Sequence, residues 1–167
     1  MDNGKEFHFR HEFNPGDIGR VVSLHGLIAY TGFGFDYRFE AYVAEYLGKF
    51  VKEENPRSRM WMLDGDDGIL ATIAVAHAGD DIAQLRWFGV DPSATGQGIG
   101  RALWHAALAF CKQQNYKEVF LWTVDGLDVA RAMYDKSGFK VSEENTHEIW
   151  GQTLTEQKMT LVINAAT

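Results

Sequence analysis

Gly96, Gly98 and Gly100 alternate within the run L-R-W-F-G-V-D-P-S-A-T-G-Q-G-I-G-R-A-L, residues 85–103. An apolar strand ends at Val90, Asp91-Pro92 breaks it, and a helix opens from the glycines. This order leaves free backbone N–H groups at a helix N-terminus, where phosphate is favoured. Further along, A-R-A-M-Y-D-K-S-G-F at 130–139 puts Tyr134 on a helix, and a phenol there can give up a proton. The alternative for Tyr134 is a ring packed between helix and sheet.

Two common glycine fingerprints do not fit. A dinucleotide fold needs G-x-G-x-x-G, but the third position is Arg101 counting from Gly96 and Leu103 counting from Gly98. The Gly-Lys-Ser/Thr of a P-loop is absent. Glycines that only make a tight turn are the plain alternative, yet three leading straight into a helix exceed what a turn requires.

The elements that must position these residues follow from periodicity. Glu6 to His11 alternates and predicts a first strand. Pro15-Gly16-Asp17 starts a helix carrying Ile18, Val21, Val22, His25 and Ile28. Phe39, Tyr42, Val43, Tyr46, Leu47 and Phe50 stripe a second helix. Strands at Arg59–Leu63, Ile69–His77 and Ile82–Val90, separated by Gly/Asp turns, predict an antiparallel meander. A helix carrying Ile99, Leu103, Ala106 and Phe110 follows, then a doubly covered strand at Val119–Val124. Next come a helix at Asp128–Ser137 stopped by Gly138, a strand from Phe139 and another at Gln157–Ile163. The order predicts an α/β (α+β) three-layer fold: a central mixed, twisted sheet of about seven strands flanked by four helices. The strand–helix–strand unit around the glycine loop makes Ile82–Val90 and Val119–Val124 parallel neighbours.

With 167 residues, 46% hydrophobic, the chain reads as one domain, 1–167. Its net charge of -7 and lack of any Lys/Arg block exclude a nucleic-acid backbone as partner. Cys111 is the one cysteine, so no intrachain disulfide and no zinc-type spacing exist, and no metal site is expected. The start, M-D-N-G-K-E, lacks the basic and apolar pattern of a signal peptide, and no run approaches the roughly 20 apolar residues of a membrane span. A cytoplasmic protein with no membrane partner is the expectation.

Taken together, Val90-x-Pro92, Gly98-x-Gly100, Ala130, Met133-Tyr134 and Gly138-Phe139 resemble the signature of the GCN5-related N-acetyltransferase (GNAT) family, and the element order fits along nearly the whole chain. His11–Tyr30, the aromatic Phe35–Tyr42 and Trp150-Gly151-Gln152-Thr153 are similar to acetyltransferase domains often fused to MarR-type winged helices. No winged helix precedes this one, so DNA binding does not carry over.

The resemblance implies acetyl-CoA as cosubstrate, with no metal. Its pyrophosphate would lie on Thr95, Gly96, Gln97, Gly98, Ile99, Gly100 and Arg101. Its pantetheine arm would run along the edge of Phe88, Gly89 and Val90, with Gly89 easing the opening by omitting a side chain. A backbone N–H near Val90 would polarise the thioester carbonyl, an effect worth a few kcal/mol of barrier. Tyr134 would protonate the departing thiolate. Asp128 stands where relatives often carry a cofactor-touching Asn; a helix N-cap is its other reading. Thr95 replaces the family's Arg/Gln, with Arg101 or Lys136 as stand-ins or as solvated charges. Thr123 replaces a Glu that some relatives use as general base. Glu40, near Phe35, Tyr37 and Phe39, is then the leading candidate base, with Asp125, His25 or an ordered water as alternatives. The acceptor would be a small-molecule or peptide amine over Tyr30–Tyr42, and pairing of two chains through the late strands is a family habit. A non-catalytic acyl-CoA-binding or sensor domain would share the glycine loop without a working base.

Overall fold

The computed structural model describes residues 4–163; residues 1–3, part of the stretch read for a leader, lie outside them. Helix α1 spans Asp17–Phe33 and α2 spans Arg38–Glu53. Strands β1 (Arg59–Gly65), β2 (Gly68–His77) and β3 (Ile82–Val90) follow. After a short 3-10 turn come α3 (Ile99–Gln113), β4 (Glu118–Val124), α4 (Asp128–Lys136), β5 (Lys140–Ile149) and β6 (Gln152–Val162). One six-stranded sheet has the order β1-β2-β3-β4-β6-β5. Every neighbour pair is antiparallel except β3–β4, which is parallel as the strand–helix–strand order requires.

The sheet has six strands rather than about seven. Glu6–His11 does not form a strand: among the described residues it contributes a single antiparallel bridge, Arg10 to Met62. The Arg10 side chain instead ties the segment down, reaching Asp17 at 2.5 Å and Asp64 at 2.7 Å. Phe7 and Phe9 pack against the core without a ladder.

Two apolar layers sandwich the sheet. On one face α3 and α4 cover Leu85, Val119, Leu121 and Met159 with Leu103, Trp104, Phe110 and Phe139. On the other, α1 and α2 bury Val21, Leu24, Val43 and Leu47 against Met60, Met62 and Trp87. A third, aromatic cluster joins the α1–α2 corner to the β5–β6 turn through Phe35 and Trp150. Gly138, at φ +96°, stops α4 as expected. Asp128 sits in the first turn of α4 but caps nothing; Leu127 holds the N-cap position and no side-chain cap bond forms.

Candidate active site

The parallel strands β3 and β4 pair only from Ile82 to Gln84 against Glu118 to Phe120, and diverge beyond. Leu85–Val90 remains bonded to β2 on its other side, so its edge toward β4 is free. The divergence has a local cause. Thr72 of β2 opposes Gly89, yet Ala74 opposes Arg86, so Trp87 and Phe88 together face Ile73. Trp87 takes φ +46° to make this bulge. A bulge bends its strand and increases twist, which carries the end of β3 away from β4.

The cleft opens into a cavity of about 220 Å³. Phe88, Leu121, Thr123 and Tyr134 line it on the α3/α4 side and along the strand edges. Phe35, Phe39 and Tyr42 of the α1–α2 corner line it from the other side, with Trp150 from the β5–β6 turn. Trp150 lies 4.9 Å from Phe39, 5.1 Å from Phe35 and 5.5 Å from Tyr42, centroid to centroid. The two aromatic stretches singled out in the sequence therefore form one wall. Trp150 and Gly151 both have positive φ, as a two-residue hairpin turn requires. A Cβ on Gly151 would come within 2.9 Å of the Asp36 carboxylate, so the turn fits closely against the corner.

Tyr134 is buried against Trp104, 5.1 Å away, and reaches the cavity wall. Burial alone pushes its phenol up to about 12, and no charge opposes that. It is therefore a neutral O–H donor throughout the physiological range.

The glycine loop meets this cleft at the start of α3. Gly96 and Gly98 have φ +78° and +85°, and a Cβ on either would meet open space, so their lack of side chains serves the backbone path and outside approach. The Ala102 N–H makes the first helical bond, to the Gly98 carbonyl. The N–H groups of Ile99, Gly100 and Arg101 precede that bond and face the helix end. Ile99 buries its side chain, while Thr95, Gln97 and Arg101 are exposed. The Thr95 hydroxyl donates to the Pro92 carbonyl at 3.1 Å, and Gln97 accepts from Lys5 Nζ at 2.9 Å. Lys136 and Asp128 are exposed on α4.

Two expectations need correction. Gly89 does not open the cleft: its missing side chain admits α1, since a Cβ there would lie 2.7 Å from Ile28 and 3.1 Å from His25. Glu40 does not line the cavity: it is exposed, and its side chain lies across Gly26 of α1, where a Cβ would meet it at 2.4 Å. His25 does line the cavity, but it is buried and bonded to Thr72, and burial lowers it to about 4. Asp125 is exposed in the loop after β4.

Unassigned by sequence reasoning are Arg86 and Glu156, which the structure places on the cavity wall, and His147, which holds Glu156. Among the described residues no group of three or more His, Cys, Asp or Glu is placed to hold a metal, and no helix is long and apolar enough to cross a membrane.

A family model described as "Acetyltransferase (GNAT) family" matches residues 25–139, which include the diverging strands β3 and β4, the glycine loop and Tyr134. The chain belongs to the GNAT acetyltransferase family. A mycothiol acetyltransferase from Beutenbergia cavernae is 34% identical over 84 residues, 49% of this chain and 28% of the relative. N-acetyltransferase 8B from Homo sapiens is 28% identical over 100 residues, 57% of this chain and 44% of the relative. The match thus spans less than half the length of either relative. Among solved structures, an acetyltransferase from Streptococcus agalactiae superposes with TM-score 0.74 at 15% identity, covering 94% of this chain and 98% of that one. The ribosomal-protein-S18-alanine N-acetyltransferase from Escherichia coli gives 0.70 at 18% identity, covering 97% of each chain. At these identities the likeness is one of fold.

Proposed function

We propose that this chain transfers an acetyl group from acetyl-CoA to a primary amine of a small molecule or peptide, by direct attack with both bound together. The cleft carries this reading: a free strand edge between a glycine-led helix N-terminus and a neutral buried tyrosine. The open space at Gly96 and Gly98 and the free edge of Leu85–Val90 suit a long, phosphate-ended thioester. When bound, acetyl-CoA supplies an activated acyl carbon and a thiolate leaving group.

The N–H groups of Ile99, Gly100 and Arg101 hold the pyrophosphate, aided by the helix dipole. Backbone groups of Phe88–Val90 take the pantetheine amides as an added strand would. An N–H near Val90 steadies the carbonyl oxygen as it gains charge. Tyr134 keeps its proton until the thiolate needs it; the amine attacks in its neutral form, the proton it sheds on becoming an amide passes to solvent, and solvent restores the phenol. A thiolate leaving into the same desolvated cleft becomes more basic for the same reason the phenol does, which keeps the two matched. The amine enters from the α1–α2 side, against Phe35, Phe39 and Trp150. Two copies pair along the exposed edge of β5, and the protein works in the cytoplasm.

A binding domain without turnover would share the loop and the cleft, and Thr123 in place of a carboxylate favours that rival. Calorimetric titration with acetyl-CoA, beside CoA and NAD, followed by an amine screen for thiol release, separates the two. Micromolar acetyl-CoA binding, no heat with NAD and amine-dependent thiol release support the enzyme. Binding without release from any amine supports the rival, and no binding by the folded protein removes both.

A further inference from the structure

Two charges on the cavity wall have no role in the reading above. Arg86 projects from β3 toward α2, donating to the Tyr42 hydroxyl at 3.1 Å. Its guanidinium lies 4.7 Å from the Tyr46 ring centre and 4.8 Å from that of Trp87. Among the described residues no carboxylate forms a salt bridge with it. Glu156, on β6 opposite Val124, is the carboxylate lining the same cavity. It is held at 2.6 Å by His147 Nε2 of β5. The two charges do not pair with each other, yet the Tyr42 phenol feels both: besides burial, which raises it, Arg86 lowers it and Glu156 raises it.

A half-buried guanidinium has five donors in a planar fork, and here one side-chain oxygen uses one of them. Its stacking on Tyr46 and Trp87 fixes the plane while leaving donors free. That geometry suits a carboxylate brought by a ligand, because charge-assisted pairs are strongest where water is excluded. Glu156 offers the opposite match to an ammonium. Between them lies the wall of Phe39, Tyr42 and Trp150.

We infer that the acceptor is an amine that also bears a carboxylate, in the class of α-amino acids with aromatic or apolar side chains, with its carboxylate on Arg86 and its amine toward Glu156. The inference rests on the acetyltransferase reading and names the substrate class of that site.

Trp87 and Trp150 line the cavity, so tryptophan fluorescence reports its occupation without turnover. The probes are 3-phenylpropionate and its uncharged amide, and the kinetic set is phenylalanine, phenylalaninamide and phenethylamine. The acid should bind about tenfold or more tightly than the amide, the usual size of one charge-assisted contact. Arg86→Gln should abolish that preference while leaving amide binding within about twofold. In turnover with acetyl-CoA, phenylalanine should show the same advantage in kcat/KM over the two amines that lack a carboxylate, lost in Arg86→Gln mainly through KM. Should the variant fail to fold, the acid–amide comparison in the unmodified protein decides alone. Equal binding of acid and amide overturns the inference, as does faster turnover of the amines that lack a carboxylate. The latter outcome leaves the acetyltransferase reading standing, whereas absent acetyl-CoA binding removes both.

Discussion

His25 on α1 and Thr72 on β2 share a hydrogen bond of 2.7 Å beneath the bulge that opens the cleft. Thr72 gives its one hydroxyl proton to the carbonyl of Trp87 at 2.6 Å. The His25 Nε2 must therefore be the donor to Thr72, and because burial keeps the ring neutral, Nδ1 carries no proton. All three residues are buried. Trp87 holds a left-handed backbone that costs a non-glycine residue about 1–2 kcal/mol. The His25–Thr72 pair satisfies the carbonyl at that strained point, so the histidine supports the shape of the cleft.

Stability should carry the signature of His25. Its folded value of about 4 lies below the ordinary 6.5, because burial opposes its charge. Below pH 6.5 the unfolded chain binds a proton that the folded chain refuses, so stability falls with pH down to about 4. The loss from this group is on the order of 3 kcal/mol. Urea unfolding at pH 7 and pH 4.5 should show a smaller drop for His25→Gln than for the unmodified protein. Equal drops would mean that His25 is charged in the fold.

Much of this arrangement was legible in the sequence. The alternating glycines behind Val90, the meander and Tyr134 before Gly138 can be read from turn chemistry and period alone. The strand at Glu6–His11 misleads because alternation reports which side chains face in, and Phe7 and Phe9 do face in, yet the segment meets the β1 edge only at the Arg10–Met62 bridge. Glu40 misleads in a different way. It follows Phe39 directly, yet on the helix it lies on the flank of the apolar stripe opposite Tyr42 and Tyr46, over Gly26 of α1. Glu156 could have been found by taking Trp150-Gly151 as a two-residue turn, which sets the register that puts Asn145 opposite it and His147 on the diagonal. Arg86 could not, because only the bulge at Trp87 decides how β3 presents its faces at that point.

The two kinds of glycine should separate cleanly. At Gly89 an added methyl meets Ile28 and His25, so Gly89→Ala should destabilise by about 1–3 kcal/mol, as overpacking does. At Gly98 a methyl meets no protein atom within 4 Å but forces a side chain into φ +85°. Gly98→Ala should cost about 1 kcal/mol of stability and weaken acetyl-CoA about tenfold or more. Thermal melts and calorimetric titration of both variants check this. Comparable loss of affinity in both would show that the loop has no special role.

Tyr134→Phe removes one oxygen from a ring already packed on Trp104. The fold should be retained and acetyl-CoA affinity should change by less than about threefold. Loss of a general acid should lower kcat by about 100- to 10,000-fold. Steady-state thiol release beside titration of the same preparation tests it. Unchanged turnover would reduce Tyr134 to a packing residue.

Lys5 offers a remedy for the neutral Thr95. Its Nζ sits 2.9 Å from Gln97 Oε1, which brings an ammonium from the N-terminal segment onto the glycine loop. Phe7 and Phe9 anchor that segment against the core just beyond it. A cation placed there attracts a pyrophosphate much as a charged side chain at position 95 would, but through solvent and from a flexible stem. The effect should accordingly be modest. Lys5→Gln should weaken acetyl-CoA about two- to fivefold at low ionic strength, the size expected of an exposed charge pair. At about 0.5 M salt the difference should nearly vanish, because the screening length has fallen to a few ångströms. Arg101→Gln and Lys136→Gln, measured alongside, tell which exposed cation carries the larger share. A Lys5 variant that binds as tightly as the unmodified protein at low salt would assign the phosphate contact to the backbone alone.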